Sequence, residues 1–193
     1  MVGMLVDLSH VSVQTMQDAI SHSIAPVIFS HSSAYSVYHH ERNVPDSVLK
    51  RLADKDGVVM INFYKAFVTG DEECTVDTVA EHVLHVAKVA GWKYTPHIPC
   101  GVLADIYRHV GIGSDFDGID MKCAGLEDSS MYPNLVAAVL RMAPETTDEE
   151  ISGFLGQNVL RVWEKAEAVK DQMKSSKPSE AIWEGREPWK FEL

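Results

Sequence analysis

Three apolar segments of the sequence each lead into a polar side chain that can bind a metal. The segment LVDLSHVS carries His10, PVIFSHSSA carries His31, and VGIGSDFDG carries Asp115. Parallel strands of a (β/α) barrel present their functional side chains at their carboxyl ends, on one face of the barrel. The repeated pattern therefore predicts strands that deliver these three side chains to a common site.

The rest of the chain alternates between strand-like and helix-like patterns. We predict strands over residues 4–9, 26–30, 58–64 and 109–114. Apolar residues between them recur every three or four positions, which indicates helices that bury one face. Alternating strands and helices form a parallel sheet with right-handed crossovers. The predicted fold class is α/β, with about four βα units, which make half of a TIM-like (β/α)8 barrel, followed by further helices.

The length and composition of the chain indicate one soluble domain. The 193 residues fall just short of the roughly 200 to 400 residues of a full barrel. We expect a partial barrel domain over residues 1–170 and a tail over residues 171–193, which is rich in Lys, Ser, Pro and Glu. Residues 92–108 contain two prolines and several aromatic side chains where a short loop would suffice. We interpret this stretch as a lid or insertion.

Charge and targeting patterns restrict the partners and the location. A net charge of −11 at pH 7 argues against nucleic acid as the ligand, because phosphate binding needs clustered Lys and Arg. Small molecules are the expected ligands. The chain shows no signal-peptide pattern and no apolar run near the roughly 18 to 20 residues of a membrane span. We expect a cytoplasmic protein without a membrane span, although the location of a full-length protein could differ.

The two histidines form the centre of the predicted chemistry. His10 and His31 are 21 positions apart, about one βα unit, so they should lie on adjacent strands. Two such imidazoles can share a zinc ion at about 2.0 to 2.1 Å. A lone histidine at the end of a strand is more often a hydrogen-bonded structural residue. Asp115 favours the metal site, because it adds a carboxylate on the same face that can orient or deprotonate a water.

Other side chains with metal-binding or redox chemistry have plainer interpretations. His82 and His85 lie three positions apart on one predicted helix, off its apolar stripe and with no evident carboxylate partner. We expect them on a solvated face. The cysteines at positions 74, 100 and 123 lack CxxC spacing, so the sequence indicates neither a disulfide framework nor a cysteine zinc site. We predict reduced thiols.

A series of motifs in a fixed order carries a family resemblance. The motifs are DLSHVS, PVIFSHSSAYS, RNVPD, GVVMINFY, VGIGSDFDG, GLEDSSMYPNL and NVLRVWE. Over roughly Leu5 to Glu164 they resemble the C-terminal half of the membrane (renal) dipeptidase family, zinc dipeptidases of the amidohydrolase-like barrel superfamily. The resemblance implies the C-terminal half of the barrel and a zinc-dependent hydrolysis of dipeptides to free amino acids.

The resemblance also implies roles for individual residues. A complete site would contain two zinc ions, and His10 and His31 would both bind one of them. Asp115 would be the catalytic carboxylate that steers the bridging hydroxide and passes a proton to the leaving amine. Arg42 would bind the free carboxylate of the dipeptide, as its planar guanidinium suits a bidentate contact. A surface ion pair is the alternative for Arg42.

Two further residues are candidates for substrate contacts. Asn62 and Tyr64 end the third predicted strand and are expected to line the substrate pocket. Core packing is the alternative for Tyr64. The sequence does not indicate which dipeptide would be preferred.

The motifs of the family's N-terminal half have no counterpart in this sequence. Relatives carry a His-x-Asp pair and a later bridging glutamate for the other zinc, and none of these precedes Leu5, so only one zinc's histidine ligands are present. Tyr38 stands where secreted relatives place a disulfide cysteine. Three explanations remain open: a fragment or truncated gene model of a full enzyme, a half-barrel that self-assembles, or a degenerate relative kept for binding.

A half-barrel would also need a partner. It exposes two strand edges and the side chains that should fill the barrel interior. The candidate partners are a second copy, which would make a homo-oligomer, or the missing N-terminal half. The alternative function is a catalytically inactive half-barrel that acts as a binding or scaffold protein.

Overall fold

The computed structural model describes residues 3–91 and 107–177. Strands and helices alternate, which confirms the predicted α/β class. The order is α1 (Val13–His22), β1 (Ile28–Phe29), α2 (Asp46–Asp54), β2 (Val58–Ile61), α3 (Lys65–Val68), α4 (Val76–Gly91), β3 (Val110–Ile112), a 3-10 turn (Ser129–Met131), α5 (Tyr132–Met142), α6 (Asp148–Ser152), a π-helical turn (Gly153–Gln157) and α7 (Asn158–Gln172).

The sheet is parallel and has the strand order β1-β2-β3. Its register pairs Phe29 with Val59 and Ile61 with Ile112. Because consecutive strands are neighbours and parallel, their carboxyl ends lie along one edge. That edge is where the candidate site residues were predicted.

The first predicted strand, residues 4–9, is present only as an isolated bridge. Asp7 pairs with Ile28 in parallel, the Leu8 N–H donates to the Ile28 carbonyl at 2.8 Å, and the Ile28 N–H donates to the Val6 carbonyl at 3.0 Å. The backbone therefore runs beside β1 as expected, although it does not form a full ladder. Asp7 nevertheless lies beside β1, and this places His10, three residues later, near the carboxyl edge of the sheet.

The other strands are shorter than predicted, and β2 shows one reason. The sequence predicts a strand to Tyr64, but β2 ends at Ile61. The Asn62 side chain accepts the Tyr64 N–H at 3.0 Å, a local turn contact, and Tyr64 pairs with Lys122 in an isolated antiparallel bridge instead of continuing the parallel ladder. Tyr64 then precedes α3 directly.

The main core lies between the sheet and helices α1, α2, α4 and α5. Helix ends follow the sequence signals: Ser12 caps α1, Pro45 precedes α2, and Thr147 with Glu150 forms a capping box on α6. A smaller cluster on the opposite face joins α7 to the sheet. The main core includes Val27, Phe29, Val48, Leu49, Leu52, Val59, Ile61, Val79, Val83, Val86, Leu135 and Val139, and the smaller cluster includes Ile28, Val58 and Val162.

The prediction of reduced thiols is wrong for two of the three cysteines. Cys74 and Cys123 form a disulfide with their Cα atoms 4.6 Å apart. Thr75 and Ala124 pair as an isolated parallel bridge, and the Ala124 N–H donates to the Cys74 carbonyl at 2.8 Å. This backbone pairing brings together cysteines that are 49 positions apart, which no local spacing could indicate. Cys100 lies outside the described residues.

Two predicted segments fall largely outside the described part of the chain. Most of the lid or insertion predicted over residues 92–108 does so, as do residues 178–193 of the predicted tail. The boundary predicted at residue 171 lies within α7, which continues to Gln172. Within residues 3–91 and 107–177, no helix has both the length and the apolar character that a membrane crossing requires.

Candidate active site

The structure brings His10, His31 and Asp115 to the carboxyl edge of the sheet. His31 follows β1, and Asp115 follows β3. His10 and Asp115 have φ angles of 71° and 63°, in the left-handed region that side chains other than glycine rarely adopt. Such a conformation costs about 1 to 3 kcal/mol and is often found at functional sites, but Asp56, away from this edge, also adopts it with a φ of 56°.

The two imidazoles face each other through the same ring atom. The Nε2 atoms of His10 and His31 are 2.7 Å apart, and Asp115 Oδ2 is 3.9 Å from His31 Nε2. Two nitrogens bound tetrahedrally at 2.0 to 2.1 Å would be separated by roughly 3.3 to 3.4 Å. A modest opening of the pair would therefore admit zinc. Among the described residues, no three or more His, Cys, Asp or Glu side chains form a complete metal site.

Two serines contact His31, one at the ring nitrogen Nδ1 and one at the backbone N–H. Its Nδ1 lies 2.7 Å from Ser30 Oγ, and its backbone N–H donates to Ser9 Oγ at 3.1 Å. Burial lowers the pKa of His31, and the charges of Arg42 and His10 lower it further against the opposing effect of Asp115. The neutral imidazole, the form that binds metals, is thereby favoured.

Asp7 anchors the ends of both histidine-bearing segments. Its Oδ1 accepts the backbone N–H groups of Ser9 and Ser30, each at 3.0 Å, and its Oδ2 lies 2.5 Å from Ser30 Oγ. Desolvation alone would raise the pKa of Asp7. The hydrogen bonds from Ser30 and Ser9 outweigh it and lower the pKa, so the carboxylate is ionised at neutral pH.

Arg42 contacts the same ring nitrogen of His10 that faces His31. Its Nη2 donates to His10 Nε2 at 3.1 Å, and its guanidinium lies 5.1 Å from the centre of the Phe67 ring. Its Nη1 is buried without a hydrogen-bond partner among the described residues. A buried guanidinium donor without a partner suits an anionic ligand such as a carboxylate.

A cavity of about 710 Å³ opens beside His10 and Arg42. Its walls combine the start of α1 with the segment before α2, and of the candidate site residues His10 and Arg42 line it, whereas His31 and Asp115 do not. The lining residues are His10, Val11, Ser12, Val13, Tyr35, Glu41, Arg42, Asn43 and Pro45. This volume is in the range of small-molecule sites.

Asn62 and Tyr64, the other predicted substrate contacts, do not line this cavity. Asn62 is 1% exposed, and its Nδ2 has no hydrogen-bond partner in the described part of the chain. Tyr64 is half-buried and packs edge-on against Phe67. Desolvation and the neighbouring Asp120 carboxylate raise the pKa of Tyr64. Their role in substrate binding stays a prediction.

Gly118 sets the position of the Asp115 carboxylate. The Gly118 N–H donates to the Asp115 carbonyl at 2.9 Å, which closes a tight turn. A Cβ atom on Gly118 would collide with Asp115 Oδ1. Gly118 in the SDFDG motif therefore allows the tight turn and also lets the backbone approach the Asp115 carboxylate closely.

His82 is buried, so the prediction of a solvated face is wrong for it. Its Nδ1 accepts the Ala34 N–H at 3.0 Å, and its Nε2 hydrogen-bonds the Val68 carbonyl at 3.1 Å. The first bond ties α4 to the segment that follows His31, and the second ties it to the end of α3. His85 is half-buried and lies 2.8 Å from Asp46 Oδ1, a carboxylate partner that the sequence did not indicate.

Comparisons with known proteins identify one family. A model of the family described as "Membrane dipeptidase (Peptidase family M19)" matches residues 1–177. Two Schizosaccharomyces pombe proteins, both named as uncharacterized dipeptidases, are 49% identical to the chain over 192 and 166 residues, which are 98% and 86% of it. The chain spans only 42% and 37% of their lengths.

A solved structure shows the same partial match. It is a metallo peptidase from Rhodobacter sphaeroides, liganded with a phosphinate mimic of the dipeptide L-Ala-D-Ala. The similarity has a TM-score of 0.70 at 27% identity and covers 85% of this chain and 43% of that one. The α/β fold described above therefore corresponds to part of a TIM-like barrel.

Proposed function

Because the chain belongs to the membrane dipeptidase family, a family of metallo-dipeptidases, we propose that it forms part of a zinc-dependent enzyme that hydrolyses a dipeptide to two free amino acids. One observation carries the proposal. The Nε2 atoms of His10 and His31 converge to 2.7 Å, with Asp115 beside them and the guanidinium of Arg42 at the cavity wall.

The chain's own residues fit three tasks in this reaction. His10 and His31 would hold one of the two zinc ions of a complete site, and Arg42 would bind the dipeptide carboxylate through its unpartnered Nη1. Zinc, when bound, supplies Lewis acidity and lowers the pKa of water. Asp115 would accept the proton of the attacking water and return it to the leaving nitrogen as the C–N bond breaks. The products are a carboxylic acid and an amine, with no covalent bond to the chain.

We further propose that the active assembly contains more than these 193 residues. Relatives are more than twice as long, and the edges of this sheet leave Met4 and Val6 exposed at 76% and 43%. The rest of the barrel would come from an N-terminal half or from a second copy. It would supply the ligands of the second zinc.

The cytoplasmic location remains a prediction that the disulfide weakens. Cytosolic proteins rarely carry stable disulfides, whereas Cys74 and Cys123 are joined here. Alkylation of free thiols in freshly lysed source cells, followed by mass spectrometry, would decide between the two states. Alkylated Cys74 and Cys123 would support a reducing compartment.

A chimera tests the dipeptidase proposal. The chain would replace the segment that it matches in an S. pombe relative, and hydrolysis of L-Ala-D-Ala and L-Ala-L-Ala would be followed with added zinc. We expect hydrolysis that His31→Ala lowers about a hundredfold or more, because the metal contributes several kcal/mol to the transition state. His22→Ala, an exposed histidine of α1, is the matched control and should stay near the parent rate.

The unmodified relative serves as the positive control. A folded chimera that binds zinc but hydrolyses neither dipeptide, beside an active relative, would contradict the proposal. That outcome would support the alternative of an inactive binding or scaffold protein.

A further inference from the structure

Asp7 and Ser30 lie behind His31, on the side of the imidazole away from His10. Neither residue touches the cavity or belongs to the metal-binding candidates. The contacts form a line: Asp7 Oδ2 to Ser30 Oγ at 2.5 Å, then Ser30 Oγ to His31 Nδ1 at 2.7 Å. The polarity of such a line determines which ring nitrogen of His31 carries the proton.

The carboxylate fixes that polarity. An ionised carboxylate only accepts hydrogen bonds, so the proton in the 2.5 Å contact must come from the Ser30 hydroxyl. The Ser30 oxygen can then only accept from His31, which places the proton of a neutral imidazole on Nδ1. The Nε2 atom of His31 is left with a lone pair that points at His10.

His10 presents a lone pair to the same point. Arg42 Nη2 donates to His10 Nε2 at 3.1 Å, so this nitrogen is also an acceptor. Two acceptors 2.7 Å apart repel each other unless a cation lies between or beside them. Both nitrogens therefore carry a lone pair, and a metal ion bound there would take the His10 lone pair in place of the Arg42 donor.

We propose that Asp7 and Ser30 form a positioning relay that holds His31 in the Nδ1–H tautomer, with Nε2 free to bind metal. The inference rests on the proposed zinc site and adds two residues to it. Metal-binding histidines depend on such outer partners, whose loss commonly costs about 10- to 100-fold in metal affinity. The relay also ties the two strand ends together, because Asp7 Oδ1 accepts the backbone N–H groups of Ser9 and Ser30.

The sharpest variant is Asp7→Asn, which keeps size and the Oδ1 acceptor but turns Oδ2 into an NH2 donor. That donor would point at Ser30 Oγ and leave the serine hydroxyl free to donate to His31 Nδ1. We expect the His31 proton to move to Nε2, where it blocks the metal. Ser30→Ala should shift the tautomer in the same direction, and Ser30→Thr, which keeps the hydroxyl, should restore it.

The measurement is the tautomer of His31 in the zinc-free 193-residue chain at about pH 8, where a histidine is neutral. Long-range ¹H–¹⁵N NMR spectra of the ring distinguish Nδ1–H from Nε2–H. The dissociation constant for zinc, measured by chelator competition, is the second readout. We expect Nδ1–H in the parent chain, Nε2–H in Asp7→Asn, and zinc binding about 10- to 100-fold weaker in that variant.

Ser32→Ala is the matched control, because Ser32 Oγ pairs with Ser9 Oγ at 3.1 Å and does not reach the His31 ring. It should leave the tautomer and the zinc affinity unchanged. An Nδ1–H tautomer that persists in Asp7→Asn and Ser30→Ala would overturn the relay, as would an equal effect of Ser32→Ala. If the tautomer changes as expected but the chimera hydrolyses no dipeptide, the proposed function is wrong and the relay still holds.

Discussion

Asp115 is held in a left-handed backbone conformation, at a φ of 63°, with Gly118 packed against its carboxylate. The turn is therefore built around the carboxylate oxygen, and glycine is suited to position 118 because a Cβ atom would not fit beside that oxygen. His10 has the same backbone feature, at a φ of 71°. Both residues therefore adopt a backbone conformation of higher energy at the proposed active site.

Gly118→Ala should displace the Asp115 carboxylate by a few tenths of an ångström or more, because the new methyl group would collide with Oδ1. We expect the chimera's kcat to fall about tenfold or more, since misplaced catalytic groups lose their near-attack geometry. Zinc affinity should change little, as the histidine ligands are untouched. Steady-state kinetics and zinc titration of the same preparation check this.

Gly113 provides no such control, because its Cβ would meet the Ser30 carbonyl. Gly156→Ala does, since nothing lies within 4 Å of its Cβ position. Equal losses of kcat in Gly118→Ala and Gly156→Ala would show that the effect is general. The role assigned to Gly118 would then be wrong.

At the scale of elements, α4 shows where sequence patterns are insufficient. Its apolar stripe predicts a single buried face, yet α4 packs against both α2 and α5, and His82 faces the loop after His31. Helical periodicity identifies one apolar face of a helix and does not show whether a second face is also buried. The sequence predicted that His10, His31 and Asp115 follow neighbouring parallel segments, although the strands themselves are shorter than predicted.

The relay behind His31 shows a second limit. Asp7 is the one charged residue in the first apolar segment, residues 4–9, which marks it as unusual. Its partner Ser30 is 23 positions away, and the contact depends on the register between two backbone segments. Sequence alone does not set that register, so the sequence indicated the candidate ligands His10 and His31 but not the residues that support them.

His82, on α4, makes the free energy of unfolding depend on pH. Burial lowers the pKa of His82 to about 4, although the Val68 carbonyl opposes the shift. Because the folded pKa lies below the unfolded value of about 6.5, the folded state needs neutral His82. Its contribution is fully present above about pH 6.5 and is lost as the pH falls toward 4.

His82→Gln should therefore flatten the fall in unfolding free energy between about pH 6.5 and 4. Some slope should remain, because burial also lowers the pKa of His109 to about 4. Urea denaturation at several pH values measures the slopes. A variant with the same slope as the parent chain would show that His82 is not the buried neutral group described.

Asp56 joins α7 to the start of β2. Arg108 donates to its carboxylate at 2.8 and 3.0 Å, Arg161 lies 2.7 Å from Oδ1, and Lys165 contacts Oδ2. Burial alone would raise the pKa of Asp56, but these cations lower it well below its usual range. The Asp56 carboxylate thus contacts three cations at the end of the sheet opposite the candidate site.

Asp56→Asn should cost about 1 to 3 kcal/mol of unfolding free energy at pH 7, because it removes charged hydrogen bonds and keeps the size of the side chain. The loss should shrink below about pH 4, where the unfolded carboxyl is protonated and the parent chain itself loses this contribution. Denaturant titrations at pH 7 and near pH 3 give both values. A constant difference between parent and variant would contradict the account.

For the molecule as a whole, the disulfide closes a large loop that contains α4. Cys74 and Cys123 are 49 positions apart, and a loop of this length corresponds to about 4 kcal/mol of stabilisation in the chain-entropy model. The pair also fastens the segment that follows Asp115 to the start of α4. Local sequence spacing gave no sign of it.

Reduction, or the Cys74→Ser variant, should lower the Tm by roughly 10 °C. Differential scanning calorimetry with and without reductant measures the change, and Cys100→Ser is the control variant. A parent chain whose Tm is insensitive to reductant, with free thiols at 74 and 123, would contradict the disulfide.

The convergence of two imidazoles is the claim on which the functional account depends. X-ray absorption at the zinc edge, on the chain loaded with one equivalent of zinc, measures the ligands directly. We predict imidazole nitrogens at about 2.0 to 2.1 Å in the parent chain and their loss in the His10→Ala, His31→Ala double variant. A zinc spectrum without imidazole scattering, or one that the double variant leaves unchanged, would contradict the account.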